Sequence, residues 1–111
     1  MDEKLYSLDK PTHQKRPLEE DYARCEQLRI CWEEIIMGVK DRAGFSEITF
    51  HLWLENLCLE NVSDEYIFIS TDKDDVRAIV YLERKFKPFF ESLISEKVGE
   101  SVIVRFLIRK I

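Results

Sequence analysis

Glycine and proline are scarce, three of each in 111 residues, which leaves little for long flexible loops or low-complexity linkers. With glycine only at 38, 44 and 99, the chain has no G-x-x-x-x-G-K-[ST] loop, no G-x-G-x-x-G turn and no G-x-S-x-G elbow, so the usual backbone cradles for phosphate and the exposed serine nucleophile are excluded. Cysteine is equally thin. Cys25, Cys31 and Cys58 are odd in number and lack C-x-x-C spacing, which argues against a disulfide framework or a zinc site and for small buried hydrophobes. There are two histidines, His13 and His51, and no H-E-x-x-H; His51 lies beside an apolar stripe and reads as a surface or boundary residue. The adjacent acids Glu33-Glu34 and Asp74-Asp75 diverge by about 100° on a helix and cannot share a proton. No window approaches the roughly 18 apolar residues of a membrane span, and MDEKLYSLDK is no signal peptide. The expectation is a cytoplasmic binding protein with no catalytic residues, metal, cofactor or membrane contact.

What is present is the composition of a globular domain, 45% hydrophobic and 35% charged, in a length that suits one domain. The net charge of −5 is unevenly spread. Residues 77–111 hold eight Lys or Arg against four Glu, so they carry +4 and leave −9 for the first 76. That asymmetry reads either as a basic face for an acidic partner or phosphate, or as solvated charge that keeps the domain soluble.

Periodicity supplies the elements. Residues 1–16 mix charge with Pro11 and show no sustained period, as expected of an N-terminal arm before a single domain at 17–111. From there Leu18, Tyr22, Cys25, Leu28, Trp32, Ile35 and Val39 step by threes and fours, predicting one amphipathic helix of about six turns that starts at Pro17. The stretch FSEITFHLWLENLCLE, 45–60, changes period partway. Phe50, Trp53, Leu54 and Leu57 form a helical stripe, Ser46 is placed to cap it, and Ile48 and Leu52 make the helix apolar around much of its circumference, so it should be sandwiched. LCLENV and IFIS read as a β-hairpin turning at SDEY. Asp72 and Asp74 are helix-start residues, and a helical face runs from Val76 to Leu93 with a kink or break expected near Lys87 because of Pro88. After Gly99, Val102, Val104, Phe106 and Ile108 alternate with Ile103, Arg105, Leu107 and Arg109, a strand showing arginines on one face. The sum is an α+β two-layer domain of order α-α-β-β-α-β, with a small three-stranded sheet packed on helices.

These residues resemble a specific family, the N-terminal domain of the bacterial replication initiator DnaA. Trp32 is similar to the Trp of that family's first helix, Phe50, Trp53 and Leu54 in FHLWL to its F-x-x-W-[LMI] helix, and IFIST to its hairpin return. YLERKF, Tyr81 to Phe86, is similar to the third-helix W-[LI]-x-x-x-Y, and GESVIVRFLI to the last strand. The resemblance spans about residues 28–111 and implies a KH-like fold without the GXXG clamp. It also implies a protein-docking domain for self-association and recruitment of replication proteins in initiation of DNA replication. Where the family has Pro-Asn-x-Phe, this chain has Asp72, Lys73, Asp74, Asp75 and Val76. Carboxylates there replace an apolar anchor, which puts helicase binding in question.

The expected contact residues are therefore Trp32, which reads as interface or core, Thr49, and Asp72, Asp74, Asp75 and Val76; the partners are the chain itself, an initiator or other replication proteins. Either a piece of a longer initiator or a free-standing domain fits the sequence. The alternative function is weak single-stranded nucleic-acid binding by Arg105, Arg109 and Lys110, against which stand solubilising arginines and the overall acidity.

Overall fold

A computed structural model describes residues 18–109 of the chain; the expected N-terminal arm and Lys110 lie outside that range. The expected helix from residue 17 is two helices, α1 (Leu18–Ile30) and α2 (Trp32–Ala43). Between them Cys31 leaves helical geometry at φ −107°, ψ 22°. The break has a packing reason. α1 lies along the first strand and buries Cys25 and Leu28, whereas α2 lies against the last helix and buries Ile35, Ile36 and Val39. The periodic stripe continues across the break, so it gave no sign of it. Its first members, Leu18 and Tyr22, are exposed.

Gly44 ends α2 in the left-handed region, φ 68°, donating its N–H to Asp41 O, a conformation glycine adopts without steric cost. Ser46 then caps the next segment by accepting the Thr49 N–H at 3.2 Å. The single turn α3 (Glu47–Thr49) runs into a π-helix, Phe50–Leu54, closed by the Glu55 N–H donating to Phe50 O. The sandwich expected around this helix is not there: Leu54 is buried and Phe50 and Trp53 half-buried, but Ile48 and Leu52 face outward. An apolar stripe says which side chains share a face, not how many neighbours arrive to cover it.

The hairpin is β1 (Cys58–Ser63) and β2 (Tyr66–Thr71), antiparallel, turning at Asp64 and Glu65. Leu59 and Val62 both point to the core although three apart, which strict alternation forbids. A bulge at Glu60 absorbs the extra residue, and the Ser70 hydroxyl donates to the Glu60 carboxylate across it. α1 is tied to the turn by the buried Asp21, whose carboxylate accepts the Asp64 N–H at 3.1 Å. Asp64 sits at φ 57°.

α4 (Val76–Lys85) is capped by Asp75, one residue past the expected Asp74; its carboxylate accepts the Arg77 N–H at 2.8 Å. The helix stops before Phe86, and α5 (Lys87–Val98) begins with Pro88 in its first turn, where a missing N–H is harmless. The expected break near Lys87 is thus a clean restart. β3 (Ile103–Ile108) joins β2 in parallel, giving a mixed sheet of order β1-β2-β3; a parallel partner requires a crossover, here α4 and α5.

The helices cover one face of the sheet. Leu59, Val62, Ile67, Ile69, Val104 and Phe106 are buried there with Leu82, Phe86, Phe90 and Ile94. Phe90 meets Phe106 edge-on at 5.9 Å, and Phe86 meets Phe45 at 4.8 Å. The α+β two-layer order α-α-β-β-α-β is the one read from the sequence. The free edge of β3 is closed by side chains: the Val104 N–H donates to the Glu91 carboxylate at 2.9 Å and the Phe106 N–H to that of Glu83 at 3.2 Å. Lys87 lies between the two acids, 3.5 Å from Glu83 and 3.8 Å from Glu91. Of the three cysteines only Cys25 is the buried hydrophobe expected; Cys31 is half-buried and Cys58, on the outer face of edge strand β1, is exposed.

Candidate docking groove

α2 and the π-helix diverge to leave a groove of about 250 Å³ lined by Trp32, Glu33, Ile36, Met37, Phe50 and Glu55. The helical spacing of Trp32, Ile36 and Met37 puts them on one side of α2. Trp32 is fixed at both ends of its ring system: the indole N–H donates to Leu57 O at 2.9 Å, and the ring stacks near-parallel on Phe90 at 6.0 Å. Trp32 is half-buried, a groove wall held from behind by the core. Met37 is 43% exposed at the mouth. Across the groove, Phe50 carries the Lys40 ammonium 5.1 Å from its ring centre.

The carboxylates around this groove differ in their commitments. Glu47 pairs with Lys40, and that hydrogen bond holds its carboxyl below the usual glutamate range. Glu55 contacts His51 Nδ1 at 2.6 Å. Glu33 has no hydrogen-bond or ion-pair partner among the described residues.

The other expected residues go elsewhere. Thr49 precedes the π-helix, and its hydroxyl takes a hydrogen bond from Ser46, but it does not line the groove. Asp72, Asp74 and Asp75 are exposed, as is Val76 at 70%. That segment is anchored near Trp53, whose ring lies 5.0 Å from the Lys73 ammonium and packs on Tyr81 at 4.4 Å. In the π-helix, Phe50 serves the groove while Trp53 serves the 72–76 segment. Trp32 and the acidic segment are therefore separate surfaces.

The C-terminal arginines lie on the open face of the sheet. Arg105 is exposed and stands level with Phe68 in the β2–β3 register, with Asn61 on the other side. Phe68 stacks on Tyr66 at 6.1 Å. Arg109 is less free: its guanidinium donates to the Ser70 hydroxyl and to Asn56 O. Of the basic residues in the C-terminal third, Arg77, Lys87 and Lys97 each face a carboxylate.

Sequence reading missed Glu33, Ile36, Met37 and Glu55 as groove-lining residues. The signal was available: Ile35, Ile36, Met37 and Val39 occupy more of the α2 circumference than one packing neighbour covers. A second depression, about 410 Å³, lies between α1 and β1, and its lining mixes Leu18, Tyr22 and Val62 with Asp21, Glu26 and Arg29. Among the described residues no three His, Cys, Asp or Glu converge to hold a metal ion, and no helix is long and apolar enough to cross a membrane. The chain matches no protein-family model and no curated protein.

Proposed function

We propose that this is a non-enzymatic, cytoplasmic protein-docking domain of the DnaA N-terminal type, which associates with itself and recruits partners of replication initiation through the groove beside Trp32. The observation that carries the reading is an exposed Met37 beside a half-buried Trp32 and Phe50. Apolar contact surface of this kind, rimmed by charge, suits protein association. Two of the residues that carry the family resemblance, Trp32 and Phe50, wall the groove. At about 250 Å³ it falls below the roughly 300–1,000 Å³ of small-molecule sites.

The test is Met37→Glu, which places a charge at the mouth without touching the core. Sedimentation should show self-association, or binding of a purified initiator or replication partner, weakened at least about tenfold, roughly 1.4 kcal/mol, with an unchanged circular-dichroism spectrum. Val80→Glu, on the exposed face of α4, is the control. Equal effects of the two, or none, would refute the assignment of the groove.

The open sheet face favours a second reading, weak binding of single-stranded nucleic acid. The stacked Tyr66–Phe68 pair beside Arg105 is the kind of platform on which bases stack. Under this reading a labelled oligothymidine binds at 50 mM salt, weakens steeply at 200 mM, and loses affinity on Phe68→Ala and Arg105→Ala. No binding at 50 mM removes it.

A further inference from the structure

The docking reading leaves the chemistry of the occupant open, and the groove's side chains narrow it. Its walls are apolar, and Met37 is unbranched and deformable, suited to accepting side chains of several shapes. Its polar side chains are nearly all of one kind. The Trp32 N–H is already spent on Leu57 O, which leaves the carboxylates of Glu33, from α2, and Glu55, from the end of the π-helix. Both accept hydrogen bonds when ionised, and neither can donate. Lys40, the nearest cation to Phe50, is engaged by Glu47, and Glu33 has no partner among the described residues. The groove therefore presents an apolar floor between two acceptor-only, negative rims, in the part of the chain that carries the net −9 of residues 1–76.

We infer that the groove takes a segment of a partner protein that inserts one apolar side chain of Leu, Met or Phe size and carries Lys or Arg within about a helical turn of it. The proposal rests on the docking reading. Charge complementarity selects the partner: a cation meets Glu33, which has no partner among the described residues, or the Glu55 oxygen that His51 does not hold, whereas an acidic flank is repelled. Arginine fits better than lysine, because its planar guanidinium pairs with a carboxylate while lying flat on the Trp32 or Phe50 ring.

The test is selection of random 12-residue peptides displayed on phage against the full chain, followed by anisotropy with the enriched peptides, synthesised and labelled with fluorescein. The expected peptides carry an apolar anchor next to Lys or Arg. Their affinity falls at least tenfold on Met37→Glu and on Glu33→Lys with Glu55→Lys. A peptide with its Arg changed to Glu binds that double-Lys variant better than it binds the parent. Circular dichroism establishes that each variant is folded. Peptides without cations that still lose binding on Met37→Glu overturn this inference and leave the groove as a docking site. Peptides indifferent to all these substitutions overturn both, and a selection that enriches nothing also overturns the inference.

Discussion

The carboxylates on the free edge of β3 permit a quantitative test. Glu91 accepts the Val104 N–H and Glu83 the Phe106 N–H, so two outward donors of an edge strand are occupied by side chains instead of solvent or another strand. A hydrogen bond to a charged group contributes about 1.5–3 kcal/mol. Both carboxylates remain about a quarter exposed, at 25% and 28% of the side chain, so solvent screening brings the expected value to about 1–2 kcal/mol each. Glu91→Ala should then lower the urea midpoint by about 0.5–2 M for a slope of about 1–2 kcal/mol/M, although Ala is the better helix former. Glu91→Gln keeps a neutral acceptor and should retain about half of the stabilisation. With Glu83→Ala added, Val104 and Phe106 present free N–H groups to other chains. Sedimentation should then show association that grows with concentration, even alongside Met37→Glu, which disables the groove. If the Ala variants stay within about 0.5 kcal/mol of the parent and the double variant sediments unchanged, the carboxylates are not what closes this edge.

Three further outcomes are expected. A Cβ at Gly38 would come 2.7 Å from Leu93 Cδ2, so Gly38→Ala should forfeit the roughly 1 kcal/mol of added helix propensity and regain it in a Leu93→Ala background. A double-mutant cycle by urea unfolding with coupling below about 0.5 kcal/mol would contradict the contact. Ser46→Ala removes the acceptor for the Thr49 N–H and should cost about 1 kcal/mol, with loss of order at 47–54 visible in amide exchange; unchanged exchange there would contradict the capping role. The hydrogen bonds to Arg77 hold the Asp75 carboxyl below the usual aspartate range. Its capping contribution should therefore be fully present above the unfolded value of about 3.9 and disappear as pH falls through the lower folded one; a carbon-13 titration midpoint at or above about 3.9 would contradict this.

Features set by local chemistry were legible in the sequence. Pro88 announced the restart at α5, Ser46 the cap of α3, and the alternation after Gly99 placed Arg105 opposite Phe106 across the strand. What depended on which neighbour arrives was not. The break at Cys31 exists because α1 and α2 pack on different partners, yet the hydrophobic steps across it are regular. Ile48 and Leu52 share helical faces with buried residues but meet no covering element. The bulge at Glu60 left a trace in the three-residue spacing of Leu59 and Val62, which a simple alternating reading passes over. Of the candidate site, Trp32 could be named from its stripe. Its groove required knowing that the π-helix FHLWL lies across from α2, a long-range fact that periodicity does not encode. Glu83 and Glu91 read as ordinary helix acids for the same reason.

A π turn accommodates one residue more than an α turn over a similar length, and each residue rotates less about the axis. Within five residues this lets Phe50 address the groove and Trp53 address Lys73 and Tyr81. Both aromatic seats thus hang on one short, unusually wound piece of backbone, and displacing one ring should tug on the other. With Trp32 changed to Phe, the sole remaining indole becomes a distant gauge of groove occupancy. Emission that stays flat while a bound peptide saturates would mean the winding does not relay the push.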